Sequence, residues 1–266
     1  MKVVHGIDSL DRSIGRMFVV VGVFDGLHLG HLYLLDELRR AAAEHEAKPV
    51  VITFDHHPDE ILTGAAPPLL CDPEERLARL AAAGVVATVV ATFDVALRMT
   101  PYDAFVRSIA ERVDLAGFLM TPESAFGHDR LGTPETVAEL GSELGYTVSL
   151  IPQLLVDGRA VSSGEIRRAI AEGRLADAEE ALGRPYAIVA DQSPEGRSAH
   201  RLAFPLPVAL PPPAAYAVSI KPWGSVGSIT EADRQGIALV RAGGVVDLEP
   251  GPAGTSRVRI EFGGGR

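Results

Sequence analysis

The sequence predicts an α/β chain in two parts, a Rossmann-like domain on a parallel sheet over residues 1–185 and a small β-barrel-like domain over 186–266. Three observations predict it. Apolar, β-rich runs alternate with helical stretches through the first 150 residues, which is the pattern of buried parallel strands covered by helices. After Gly183-Arg184-Pro185 the helical periodicity fades and short strands separated by Pro and Gly take over. Hydrophobic residues are 47% of the 266, enough to bury a sizeable core.

The elements follow in order. Residues 17–23 form a continuous β-rich run, and Gly26 interrupts the chain before a helical pattern that puts Leu34, Leu35, Leu38, Ala41 and Ala42 on one face. Residues 49–54 are the next strand and 73–83 the next helix. Runs at 85–90, 117–120 and 147–151 continue the strand series, with helices at 101–113 and 134–144 between them. Each crossover is expected to be right-handed. In the second part, strands are expected at 214–220, 236–240, 245–248 and 257–262. A proline-rich loop occupies 205–213, a glycine tail 263–265, and no internal repeat is visible.

The net charge of −10 argues against a sequence-independent nucleic-acid surface, which needs a basic face to neutralise phosphates. One cysteine, Cys71, excludes an intramolecular disulfide framework and fits a reducing compartment. The first residues lack the long apolar stretch of a signal peptide, and no run approaches the length of a membrane helix. The expectation is a cytoplasmic protein with neither a membrane nor a nucleic-acid partner, its oligomeric state open.

Four segments carry chemistry. Gly22-Val23-Phe24-Asp25-Gly26-Leu27-His28-Leu29-Gly30-His31 lies where the first long strand ends and a helix begins, the position at which open α/β sheets bind ligands. A helix start offers unpaired N–H groups and the positive end of the dipole, both favourable to phosphate. The glycines permit close backbone approach. A helical turn starting at His28 would put His28 and His31 on one side. An isolated H-x-x-H suits metal ligation or plain polar surface equally well; the strand, helix and glycines around this one favour phosphate.

Val161-Ser162-Ser163-Gly164-Glu165-Ile166-Arg167-Arg168 opens another helix. Ser162 and Glu165 have capping-box spacing, and the same helix start could hold a triphosphate with Ser163 and Arg167. Thr53-Phe54-Asp55-His56-His57-Pro58 ends the second strand, either as a plain strand stop or as a pocket wall with Phe54, Pro58 and His57. Phe126-Gly127-His128-Asp129-Arg130-Leu131-Gly132 follows a third strand, with Arg130 either solvated or forked onto a phosphate.

These segments, in this order, resemble the bacterial bifunctional riboflavin kinase/FMN adenylyltransferase (FAD synthetase) family. Gly22 to His31 matches that family's G-x-F-D-G-x-H-x-G-H element throughout. Its T-F-x-P-H-P loop is similar to residues 53–58, with His56 at the first proline, and its I-S-S-T-x-I-R element to residues 161–167, with Gly164 at the threonine. Ala181-Leu182-Gly183-Arg184-Pro185-Tyr186 resembles the lead into the kinase half. The similarity covers roughly residues 15–187. Glu123-Ser124-Ala125-Phe126-Gly127 stands at the family's D-F-x-F-G, so two larger side chains have become small ones. Residues 202–208 look like the kinase G-x-P-T-A-N segment, but Leu206, Pro207 and Val208 stand at T-A-N and supply no side-chain oxygen for a cation.

The resemblance implies a nucleotidyltransferase that moves AMP from ATP to FMN, giving FAD and pyrophosphate, with riboflavin kinase activity absent. It implies ATP and Mg²⁺, the metal bridging phosphates through water with no dedicated protein ligand. It assigns His28, His31, Ser163 and Arg167 to catalysis, and Gly22, Val23, Phe24, Asp25, Gly30, Arg130 and Ser162 to ATP. It puts Phe54, Asp55, His57, Pro58 and Phe126 against the flavin. Three alternatives stand beside it: a transferase with another phosphate acceptor, an inactive flavin- or nucleotide-binding homologue, and a metal-dependent hydrolase using His28, His31, His56 and His57.

Overall fold

The computed structural model describes residues 1–156, 158–192, 200–223, 234–250 and 257–263, so Gly264 and Gly265 of the glycine tail lie outside the described residues. The chain forms two compact units, one of residues 1–24, 30–67 and 77–155, the other of 25–29, 68–76 and 156–266.

The first unit is built on a six-stranded sheet of β1 (Lys2–His5), β2 (Met17–Val21), β3 (Lys48–Phe54), β4 (Ala87–Ala91), β5 (Leu115–Met120) and β6 (Thr147–Leu150). The spatial order is β1-β4-β3-β2-β5-β6 and every pairing is parallel. The helices are α1 (Leu29–Glu44), α2 (Pro58–Thr63), α3 (Pro73–Ala82), α4 (Val95–Arg98), α5 (Tyr102–Ala110) and α6 (Pro134–Leu144). Central strands such as β5 are buried at every position, which is why they read as unbroken apolar runs. The expected face of α1 is the buried one at Leu35, Leu38, Ala41 and Ala42.

Strand order runs outward from β2 in both directions, with β3 on one side and β5 on the other. That reversal opens a crevice at the carboxyl ends of these three strands, where Val21, Phe54 and Met120 line a common cleft.

A short ladder, β7 (Leu155–Val156) with β8 (Arg159–Ala160), precedes α7 (Ser163–Ala171) and α8 (Leu175–Leu182) of the second unit. Six antiparallel strands then close a barrel: β9 (Ala187–Gln192), β10 (His200–Ala203), β11 (Ala214–Pro222), β12 (Arg234–Arg241), β13 (Val245–Glu249) and β14 (Arg257–Phe262). Their order is β10-β13-β12-β11-β14-β9. The four strands expected from the sequence are there, and β9 and β10, which it did not reveal, complete the closure. Ile166, Ile170, Ala178 and Leu182 of α7 and α8 share one core with Ile188, Val218, Leu248 and Ile260 of the barrel. Tyr186 is wholly enclosed in that core, its hydroxyl donating to the Ala209 carbonyl at 2.5 Å. Among the described residues no helix is long and apolar enough to cross a membrane.

Candidate active site

Two pieces of structure carry the sequence-selected residues, a glycine turn and a cleft. The turn begins where β2 stops. Gly22 donates its N–H to the Ile52 carbonyl (3.0 Å), and the Thr53 hydroxyl donates to the Val23 carbonyl (3.0 Å). Phe24 sits at φ 55° and Leu27 at φ 37°, with Gly26 between them at φ 80°. Left-handed backbone at two bulky residues is strained, and such strain persists only where surroundings hold it.

The holding groups are identifiable. Asp25 is 3% exposed and its carboxylate accepts from the Leu70 amide (3.0 Å), the Cys71 amide (3.2 Å) and Arg167 (2.5 Å). Burial pushes the Asp25 carboxyl up, against the pull of Arg167 and the Leu70 amide. The Ser163 hydroxyl donates to the Asp25 carbonyl at 2.9 Å. Arg184 donates to the Gly26 carbonyl at 2.5 Å and to that of Leu27 at 3.1 Å. Three successive carbonyls are thereby tied by side chains of α7 and the segment after α8.

This arrangement refines the sequence expectations. Ser163 and Arg167, expected from the sequence at the phosphates, make their contacts with the turn, and the second contact of Arg167 is the Pro68 carbonyl at 2.7 Å. Ser162 is the N-cap of α7, accepting from the Glu165 amide at 3.2 Å. The reciprocal half of the expected capping box is replaced, because the Glu165 carboxylate pairs with Arg168 one turn on. Arg184 had no role assigned from sequence; carbonyl-directed contacts leave no residue-type signature near the turn itself.

Helix α1 begins at Leu29, so His28 immediately precedes the helix instead of belonging to its first turn. His28 is 4% exposed, and burial, then Arg184 and Arg167, depress its pKa to about 4. It is therefore a neutral imidazole at pH 7. Gly30 and His31 lie in the first turn of α1, and the His31 ring rests 5.1 Å from that of Phe24 at a 49° tilt.

The cleft, of about 560 Å³, belongs to the first unit. Gly22, Val23, Phe54, Pro58, Phe126 and Arg130 line it, as do Phe93, Leu97, Arg98, Phe105 and Phe118, which the sequence did not single out. Phe54 and Phe93 meet edge to face at 5.2 Å, while Phe126 tilts against Phe105 at 5.5 Å and Phe118 at 6.0 Å. Phe126 and Gly132 exchange backbone hydrogen bonds (3.3 and 3.0 Å), closing a loop whose tip, Asp129 and Arg130, is again left-handed at φ 54° and 57°. Gly127 at φ 76° cannot carry a side chain, since a Cβ would lie 2.6 Å from the Tyr102 backbone. Ser124 and Ala125 line the cleft too, and the Ser124 hydroxyl accepts from the Thr121 amide at 2.9 Å.

Asp55 and His57 are not among the cleft-lining residues. Asp55 accepts from the His56 and Phe93 amides at 2.8 and 3.0 Å; burial pushes its carboxyl up, but the His56 side chain and then these amides hold it below the ordinary value. His57 is the N-cap of α2, its Nδ1 accepting from the Asp59 amide at 3.2 Å. The two side chains fasten the loop that presents Phe54 and Pro58. Among the described residues, no group of three or more His, Cys, Asp or Glu is placed to hold a metal ion.

Comparison with known proteins adds independent information. Residues 11–165 match the FAD synthetase family. The chain is similar to a bifunctional riboflavin kinase/FMN adenylyltransferase of Haemophilus influenzae, 28% identical over 71% of this chain and 62% of the relative. It is also similar to the protein of that name from Escherichia coli K12, 30% identical over 71% of this chain and 61% of the relative. The aligned part thus spans about six-tenths of the length of these relatives. A crystal structure described as a macrolide-efflux protein from Streptococcus pneumoniae shares the fold, with TM-score 0.78 and 20% identity over 98% of this chain and 90% of that one. By the match over residues 11–165, the chain belongs to the FAD synthetase family.

Proposed function

We propose that the protein transfers AMP from ATP to FMN, releasing pyrophosphate and FAD. The observation that carries this is the cleft at the ends of β2, β3 and β5, floored by phenylalanines and entered by Gly22 and Val23 of the glycine turn. A flat tricyclic flavin needs aromatic walls, and about 560 Å³ is within the range of small-molecule sites. Phe54, Pro58 and Phe126 are its flavin contacts in this reading, with Asp55 and His57 setting their loop. Arg98 and Arg130 bring two guanidinium groups to the same cleft, suited to a phosphorylated acceptor.

The FMN phosphate is already ionised, so no general base is required. Its oxygen attacks the α-phosphorus of ATP, the new P–O bond forms, and the bond to the departing pyrophosphate breaks. Catalysis rests on in-line positioning and charge stabilisation. His28 and His31 hydrogen-bond the reacting phosphates, His28 as a neutral donor. Gly22, Val23, Phe24, Asp25 and Gly30 form the nucleotide turn. Ser162 caps α7 at its phosphate-facing start, and Ser163 and Arg167 keep the turn in shape. ATP would enter as its Mg²⁺ complex, the cation supplying neutralisation of phosphate charge.

We assign residues 1–185 to this transferase and 186–266 to a barrel without riboflavin kinase activity. Leu206, Pro207 and Val208 support that second assignment: the Pro207 carbonyl accepts from the Leu69 amide, and Val208 bridges to Leu69, so the segment is occupied within the protein. A cytoplasmic setting, with nucleotides and flavins as its partners, accords with the single cysteine.

The test is to supply FMN with MgATP and measure FAD and pyrophosphate, with riboflavin in parallel. FAD from FMN alone is the expected result. Flavin binding without pyrophosphate release would replace the transferase by an inactive flavin-binding homologue, and release with another acceptor would replace FMN.

A further inference from the structure

Residues 68–76 form a strap with two sets of attachments, all within the second unit. On one side it is fixed to the barrel. The Leu69 amide donates to the Pro207 carbonyl at 2.8 Å, and the Ala209 amide returns a bond to the Leu69 carbonyl at 2.9 Å. Arg257 of β14 donates to Asp72 at 2.6 Å and Glu74 at 2.8 Å, and Trp223 adds an N–H to Glu74 at 3.2 Å. Arg259, two residues along β14, donates to Glu75 at 3.1 Å, and this pair is buried at 9% and 4% exposure. On the other side, the strap's Leu70 and Cys71 amides hold the Asp25 carboxylate, and its Pro68 carbonyl receives Arg167.

The connection therefore runs from β14 through the strap to Asp25, and from Asp25 along the strained turn to His28. A buried ion pair is a poor source of stability compared with apolar packing of the same volume. Its directional bonds do specify register. The strap is also stiff, with Pro68 and Pro73 restricting its backbone and the Asp72 carboxylate accepting from the Glu74 amide at 2.9 Å where α3 starts.

We propose that Glu75 and Arg259 are positioning residues for the transferase, and that the barrel holds the His28 turn in register through the strap. The inference rests on the proposed FMN adenylyltransferase activity. It gives the barrel a task in that reaction that needs no kinase chemistry. Displacements of about 1 Å in a reacting group cost on the order of a hundredfold in rate, so a device that sets the register of the turn has a measurable consequence.

The test uses the full chain carrying the double substitution Glu75→Gln/Arg259→Met, which removes both charges of the pair, while Glu261, to which Arg259 also donates, keeps Lys221 as its partner. Arg241→Gln is the control, because Arg241 pairs with Asp247 in the same barrel away from the strap. Two measurements are made: hydrogen exchange at the Leu70 and Cys71 amides, and steady-state FAD formation. The expected result is exchange at those two amides faster by about tenfold, kcat lower by about tenfold and KM for FMN changed less than about twofold, with the control near wild type in all three.

Unchanged exchange overturns the proposal, and so does faster exchange with an unchanged kcat. If the double variant does not fold, Arg257→Gln takes its place with the same criteria, since Arg257 anchors the same strap from a less buried position. Wild-type protein that forms no FAD refutes the transferase reading, and the exchange measurement then decides the strap connection by itself.

Discussion

The Arg167 guanidinium and the Asp25 carboxylate meet at 2.5 Å inside the protein, although 142 residues separate them in the chain. Their pairing joins the two motifs that stood out in the sequence, the glycine turn and the start of α7. It also fixes what each does: the aspartate is the anchor of the turn, and the arginine is its counter-charge.

Removing Arg167 leaves a buried carboxylate with its amide donors and only the weaker pull of Arg76 to offset its charge. Arg167→Met is expected to cost about 3–5 kcal/mol of stability. Arg167→Lys should recover part of the stability and little of the FAD synthesis, since one ammonium cannot span both Asp25 and the Pro68 carbonyl as the guanidinium does. Denaturant melts beside steady-state rates check this. Full activity in the lysine variant would show that charge alone suffices.

His28 makes stability depend on pH. Its folded pKa of about 4 lies below the ordinary histidine value of 6.5, so the unfolded chain binds the proton first as pH falls. The contribution is complete above pH 6.5 and is lost as pH drops from 6.5 towards 4. That shift corresponds to an upper limit of roughly 3 kcal/mol at this buried position. His28→Asn, which keeps a side-chain N–H without titrating there, should flatten that part of the stability profile. It should also lower kcat for FAD formation. A wild-type profile already flat between these pH values would contradict the burial and charge argument.

Some of this was legible in the sequence, for physical reasons that differ by element. The runs at 17–23 and 117–120 read as strands, and the structure has strands at 17–21 and 115–120, because both faces of the sheet are covered and these positions are apolar. Lys2–His5 did not, because β1 is an edge strand with a single buried residue. Ala187–Gln192 and His200–Ala203 escaped because they carry polar ends and, besides their short pairing with each other, take their place through β13 and β14 far along the chain. Within the site, the glycine spacing marked the turn, since φ near +80° at Gly26 demands that residue. Nothing local to Arg98 marks it, and the segment around Arg184 stood out only as a connection, without a role for the arginine. Their significance arises from what the fold brings opposite them.

Phe126 is expected to contribute affinity more than rate. It stacks obliquely on Phe105 and Phe118 at the cleft floor. Phe126→Ala should weaken FMN binding by roughly tenfold, the equivalent of about 1.4 kcal/mol, while the FAD-forming step at saturating FMN falls much less. Flavin fluorescence titration gives the first quantity and initial rates the second. A loss confined to kcat would move Phe126 out of the flavin contacts and into alignment of the reacting groups.

Arg98 separates two ways in which the cleft could choose its acceptor. Arg98 lines the cleft together with Glu123, Asp129 and Arg130, and its bond to the Ile61 carbonyl is long at 3.5 Å. A weakly engaged guanidinium is available to a phosphate dianion but offers no comparable advantage to an uncharged flavin. Arg98→Gln should therefore weaken FMN by about three- to tenfold, near 1 kcal/mol, and leave riboflavin almost unaffected. The FMN effect should shrink as salt rises, since the side chain is exposed and screening acts on it directly. Equal losses for the two flavins would assign Arg98 to shaping the cleft wall through Ile61, and the selection of a phosphorylated acceptor would then fall to Arg130.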